Sequence, residues 1–459
     1  MTLSEQLADY LLATSYDSLP SDVIASSKRM IADTLACAWA GTAVAGIDSI
    51  HQLALEEGGR PDASLWGFGG KSSAPVAAFL NGVSAAALDF DCLHLGGLAH
   101  SPIVILPAVM ALAEQQHVSG KDFLAAFTAG VELHCRLGMA TTDHSGWFYT
   151  SMHGVMAASG ACAKVIGLDR NGICNAFGAA LAQTGGTQQA AIEQTMMKRT
   201  QSALAARAGV FSAQLAKHGT TAPRQSFDGK CGFYAMYESG DPSVVTRDLG
   251  RRHEVLRMTM KKFPSCGCNH APLEAVLQLM AENKLTASDI AAAEVSISPY
   301  MARLVGATYD PSKNALVAAQ FSVQYSVASA IMRGRLGLAE LQDAVARDPA
   351  VIKRAHAVKV IVDEARTGPG LEGAATLTTT DGRTLTRTIV DLPGSPESPL
   401  SEADFRQKAI DCFASGVSPL SAPQARALLG RIDEIEALDD VSTFFAGIAG
   451  ASGRDRQSA

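Results

Sequence analysis

Two carboxylates and two imidazoles fall close together in Asp89-Phe90-Asp91-Cys92-Leu93-His94 and Ala99-His100-Ser101-Pro102. An imidazole oriented by a carboxylate is an acid or base near neutral pH. Gly96 and Gly97 imply a bend between the two halves, and folding His100 back toward Asp89 would build that pair. The plain alternative is that Asp89 and Asp91 cap a helix or face solvent while the histidines satisfy backbone carbonyls.

A second group, Met196-Met197-Lys198-Arg199-Thr200-Gln201, follows Thr184-Gly185-Gly186-Thr187 and precedes a small-residue helix. A loop entering a helix presents free backbone N–H groups, and with Lys198 beside them it suits a carboxylate. Arg199 and Gln201 lie in the same turn as further carboxylate-binding candidates; a solvated basic pair is the alternative. The third group, Lys261-Lys262-Phe263-Pro264-Ser265-Cys266-Gly267-Cys268-Asn269-His270, stands where helical texture gives way to strands. Such seams are where ligands bind, and Lys261 and His270 would supply cations. Cys266 and Cys268 are one residue short of the spacing common in zinc sites and have no second pair, so no metal is expected. Gly146-Trp147-Phe148-Tyr149-Thr150-Ser151-Met152-His153 combines aromatics with a histidine, a pattern more often found in cores.

The elements that must position these groups are mostly helices. From Leu3 to about Leu215, apolar residues recur at three- and four-residue intervals, as in PIVILPAVMALAEQQ and KDFLAAFTAGVELHCRLG. Frequent Ala, Gly and Ser on these stripes let helix axes approach closely. Around residue 255 the texture changes, and strand-like runs follow near 292–299, 357–365 and 374–392. The last reads as a hairpin turning at Asp381-Gly382. Helical LEAVLQLMAENK and QFSVQYSVASAIMRG lie between them, so about 260–395 reads as a smaller α+β unit. After LPGSPESP, two amphipathic helices could pack back onto the first unit.

Composition narrows the function classes. The chain has 459 residues, 47% hydrophobic and 18% charged, with 41 glycines. That length is beyond a single core, and disorder is expected only at Ser452–Ala459. A net charge of −7 and no basic block speak against nucleic acid. The opening MTLSEQLADYLLAT carries Glu5 and Asp9 and reads as neither a secretory nor a transit sequence. No apolar run reaches the roughly 18 residues of a membrane span. A cytoplasmic protein is expected. Nine scattered cysteines do not form a disulfide framework. No GxSxG elbow, P-loop or dinucleotide fingerprint is present, so no cofactor is expected.

Six blocks in order, IADTLACAWAG, NGVSAAALDFD…HSPIVILPA, MKR…AARAGV, KKFPSCGCNHAPLEAV, QFSVQYSVA and DLPGSPESPLSEADFRQKAI, resemble the MmgE/PrpD family over nearly the whole chain. That family includes 2-methylcitrate dehydratase, cis-aconitate decarboxylase and iminodisuccinate epimerase. The resemblance implies a mainly α fold with a second α+β domain. A large all-helical domain is built from both chain ends (1–258, completed by helices in 400–450), with an α+β lid at 259–398. It also implies a homodimer. It places catalytic roles on Asp89, His100, Lys198, Lys261 and Tyr325. Two departures stand out: Cys92-Leu93 replaces an acid and a hydroxyl, and Phe148 stands where members often carry a histidine, leaving His153 to compensate.

The chemistry expected is proton abstraction next to a carboxylate of a small di- or tricarboxylate, with Lys198 and Lys261 stabilising the enediolate. His100, oriented by Asp89, would be base or acid, with Tyr325 or His153 as its opposite partner. Asp91, Arg199, Gln201 and His270 would bind substrate. Loss of water from a 2-methylcitrate-like acid is the leading expectation. Decarboxylation, epimerisation and a carboxylate-binding protein without catalysis are the alternatives.

Overall fold

The computed structural model describes residues 1–142, 146–237 and 239–448, so the expected disordered tail, Ser452–Ala459, lies outside the described residues. The chain is mainly helical with a smaller α+β part. Long helices span Ser21–Gly41, Ala74–Ala86, Pro102–Gln116, Gly120–Met139, Tyr149–Val165, Arg170–Leu181 and Met197–Lys217. Their small residues permit the close packing. A Cβ on Gly209 of the Met197–Lys217 helix would stand 2.5 Å from the Ala158 Cβ of the Tyr149–Val165 helix, so only glycine fits at that crossing. These helices share one continuous apolar core.

The α+β part carries a four-stranded sheet in the spatial order Val358–Val362, Ile290–Ile297, Gly373–Thr379, Thr384–Ile389. The first two strands are parallel and the remaining pairings antiparallel. The expected hairpin forms, with Gly382 at φ +87° in its turn. Along Ile290–Ile297, Ile290, Ala293, Val295 and Ile297 are buried, and the His270–Glu282 helix packs on the sheet.

Two features join distant parts of the chain. The Glu402–Phe413 and Ala422–Asp433 helices return to pack on Ser21–Gly41. A two-residue strand, Met258–Thr259, pairs antiparallel with Leu93–His94, which lays the Lys261 segment beside the Asp89–His94 segment. No helix among the described residues is long and apolar enough to cross a membrane.

Candidate active site

Asp89 follows the Ala74–Ala86 helix with a left-handed backbone, φ +51°. Aspartate tolerates this region better than bulkier residues. Here the conformation is also held from outside. The Lys261 ammonium donates to the Asp89 carbonyl at 2.7 Å and to its Oδ2 at 3.1 Å, while Lys198 donates to Oδ1. Burial alone would raise the Asp89 carboxyl, but Lys198 and Lys261 hold it well below the usual carboxylate range. Burial would likewise lower Lys261, and the Asp89 charge more than offsets it, so the ammonium form is favoured. Asp89 is therefore a fixed anion that gathers two lysines from separate segments.

That engagement corrects one expectation: His100 pairs with Asp91, not Asp89. Its Nδ1 lies 2.7 Å from Asp91 Oδ2. The cause is the Gly96-Gly97 bend, which closes as a tight hairpin with His94 and Ala99 exchanging backbone hydrogen bonds at 2.8 and 3.2 Å. The hairpin lies against the Gly120–Met139 helix, and a Cβ on Gly97 would stand 2.7 Å from the Cys135 carbonyl oxygen. His94 is used up in the bend: its Nδ1 accepts the Gly97 N–H at 2.9 Å and its Nε2 faces Glu254 at 3.4 Å. The His100 N–H donates to Thr150 Oγ1 at 3.1 Å. With Nδ1 held by a buried carboxylate, Nε2 is the nitrogen suited to proton transfer. Burial would raise Asp91, and His100 outweighs it to hold the carboxyl low.

Asp89, His100 and Lys198 line one cavity of about 280 Å³ together with Thr150, Cys266 and Arg303. The remaining wall is largely apolar and aromatic, including Leu93, Leu98, Phe148, Leu304, Phe321 and Leu371. Part of it is held by strand-like contacts: the Phe148 N–H donates to the Gly186 carbonyl at 3.0 Å and the Gln188 N–H to that of Gly146 at 2.8 Å. Gln201 braces this loop by accepting the Thr187 N–H at 2.7 Å and does not line the cavity. Arg199 is buried at 3% exposure, and burial lowers its guanidinium to about 10 despite the nearby Asp89. It too lies off the wall, so the substrate-binding roles expected of Arg199 and Gln201 have no geometric counterpart.

Three further expectations are corrected by position. His153 lies inside the Tyr149–Val165 helix between the rings of Tyr149 and Phe233, each 5.3 Å away, with its Nε2 2.9 Å from Thr141 Oγ1. Burial lowers it to about 3, so the ring is neutral and off the wall, and cannot replace the histidine absent at Phe148. His270 packs edge-on against Phe263 at 5.2 Å, and burial with the Lys261 charge lowers it to about 3. Tyr325 donates its hydroxyl to the Glu340 carbonyl and stands beside Tyr309, whose ring centroid is 4.9 Å away. Its helix, Val323–Arg333, points it into the α+β core.

Sequence reading missed other residues. Arg303, on the Pro299–Val305 helix, exposes its guanidinium on the wall 5.8 Å from the Tyr300 ring. Among the described residues it has no carboxylate partner, whereas Lys198 is paired. Its helix is short and follows a strand, which left no periodic signal. Lys408, from the Glu402–Phe413 helix, donates to Asp33 Oδ1 at 2.6 Å, to the Phe90 carbonyl at 2.8 Å and to the Lys261 carbonyl at 2.9 Å. Asp33 Oδ2 accepts the Cys92 N–H at 3.0 Å. One buried ion pair thus pins the backbone on both sides of Asp91 and at Lys261. In sequence, Lys408 looks like an ordinary charge on an amphipathic helix.

The fold and cavity define a mainly helical protein with an α+β part whose wall gathers an acid–base imidazole and cations. The chain belongs to the MmgE/PrpD family: residues 5–245 match the MmgE/PrpD N-terminal domain and 263–430 the MmgE/PrpD C-terminal domain. It is similar to the cis-aconitate decarboxylase-like protein oryM of Aspergillus oryzae, at 30% identity over 60% of this chain and 61% of that one. The match to the cis-aconitate decarboxylase of Aspergillus terreus is 29% over 68% of each chain. For the cis-aconitate decarboxylase of Homo sapiens it is 26% over 98% of this chain and 95% of the other.

Proposed function

We propose that the protein is a lyase that releases carbon dioxide from a cis-aconitate-like unsaturated polycarboxylate. The observation that carries this reading is the single cavity wall holding the Asp91-paired His100 beside Lys198 and Arg303. Lys198 and Arg303 bind carboxylates of the substrate, Arg303 through the bidentate geometry of a guanidinium. The carboxylate that departs faces the apolar part of the wall, where its localised charge is poorly solvated and the delocalised carbanion left behind is less penalised. His100 Nε2 delivers a proton to that carbanion. The reading calls on no cofactor.

One point favours decarboxylation over the dehydration expected first from the sequence. The relatives above carry the decarboxylase name. The assembly proposed is a homodimer. Met197, Leu204 and Phe211, seven residues apart on one helix, are exposed at 47, 43 and 48% and offer an apolar stripe for a second copy.

The test is proton NMR in deuterated water with cis-aconitate, citrate, 2-methylcitrate and iminodisuccinate. Carbon dioxide release from cis-aconitate with one deuterium in the product is expected, and His100→Ala should slow it by about 100-fold or more. A folded protein that neither converts nor exchanges any of these acids would sink the reading.

A further inference from the structure

The loop Ser265–Cys268 places two free thiols, Cys266 and Cys268, on the cavity wall. Its backbone is fixed. The Cys266 N–H donates to the Gln320 carbonyl at 3.0 Å, and the Asn269 N–H donates to the Cys266 carbonyl at 2.9 Å. The Asn269 amide also donates to the Gln320 carbonyl, at 2.9 Å, while the Gln320 amide donates to the Ala87 carbonyl at 3.3 Å, two residues before Asp89. Cys266 is therefore held in register with the anion-and-lysine cluster and shares a wall with Lys198, Arg303 and His100.

Cys266 also differs from the core cysteines. Burial pushes the thiols of Cys37, Cys92, Cys135 and Cys162 up, as expected for inert packing groups. Cys266 is shifted the other way: the neighbouring Cys268 thiol favours its thiolate and the Lys261 ammonium adds to the effect, with burial and Asp89 opposing. Cys268 is raised by its neighbour Cys266 and by burial.

We propose that Cys266 is a covalent capture site for anionic carbon electrophiles with an unhindered reacting carbon, above all methylene dicarboxylates, which Lys198 and Arg303 hold beside its sulfur. In the addition, the Cys266 thiolate forms a C–S bond at the β-carbon and the π pair moves onto the α-carbon as an enediolate. The proton lost from the thiol ends on that α-carbon, and nothing is oxidised or reduced. With a haloacetate, the sulfur displaces halide, which leaves with the bonding pair, and the thiol proton goes to solvent. The physiological consequence rests on the decarboxylase reading: a product that is itself a methylene dicarboxylate would inactivate the enzyme slowly as it accumulates.

The experiment treats the full chain with iodoacetate or iodoacetamide at equal concentration and follows each cysteine by peptide mass spectrometry. Exposed Cys231 is the internal reference. The iodoacetate-to-iodoacetamide rate ratio should be about tenfold or more higher at Cys266 than at Cys231, because the wall cations attract the anion. Cys268→Ala should slow labelling at Cys266. Incubation with 2-methylenesuccinate should give a thioether at Cys266 and a time-dependent loss of turnover that Cys266→Ser resists. An unlabelled Cys266 beside a labelled Cys231, or equal reagent ratios at the two sites, overturns the proposal. Labelling needs no turnover, so the two readings fail separately. Charge-selective capture in a protein that converts no acid sinks the decarboxylase, whereas conversion without capture sinks the thiol site.

Discussion

On the proposed reading Asp91 acts through His100, holding Nδ1 so that Nε2 is the nitrogen that carries the proton delivered to substrate. Asp91→Asn should keep the fold, checked by circular dichroism, and lower kcat by about 10² to 10⁴. Asp89 has a different task, since its anion balances Lys198 and Lys261 in a buried setting. Asp89→Asn removes that charge and should cost about 3–5 kcal/mol in urea unfolding at pH 7. The folded carboxyl is held low, so its contribution is complete above the ordinary carboxylate range and declines as pH falls below it. The gap between wild type and Asp89→Asn should accordingly narrow below pH of about 4. The cluster itself was legible in DFDCLH…AHSP, because carboxylates beside imidazoles are visible as residue types. Which aspartate meets His100 was not, because the register of the His94–Ala99 hairpin decides it.

Among the elements, the Glu402–Phe413 helix has most influence on the site despite its distance in sequence. Lys408 and Asp33 form a buried pair whose remaining hydrogen bonds go to the backbone of Phe90, Cys92 and Lys261. Lys408→Met leaves Asp33 buried without its cation and frees the Phe90 and Lys261 carbonyls, and should lose about 3–5 kcal/mol and lower turnover as the Asp91 and Lys261 segments separate. In a double-mutant cycle with Asp33→Asn, the two losses should fall short of additivity. Strict additivity would show that the pair does not act as a unit. The long helices and the Asp381-Gly382 hairpin could be read from local periodicity and turn chemistry. The short pairing of Leu93–His94 with Met258–Thr259 could not, since two residues carry no period and their partners are remote.

Over the whole molecule, acid sensitivity should come from buried imidazoles. Burial holds His134, His153 and His270 below the ordinary value of 6.5, the latter two at about 3. The unfolded chain takes up these protons first as pH drops. Their contribution is therefore full above 6.5 and is lost progressively toward 3, at up to about 1.4 kcal/mol per pH unit for each ring. Melting temperature should fall steadily from pH 7 to pH 5, and a flat profile would contradict the buried neutral rings. Light scattering should return twice the chain mass, and Leu204→Asp with Phe211→Asp should halve it without unfolding the protein. By itself the sequence determined the helical texture, the α+β segment and the acid, base and lysine inventory, because periodicity, turn chemistry and side-chain type are local properties. Only the tertiary structure decided that Asp89 serves the lysines and Asp91 serves His100. It also turned Tyr325, His153 and His270 into the core and brought Arg303 and Cys266 to the wall. Those outcomes depend on which distant segments pack together, and packing is set by the whole core at once.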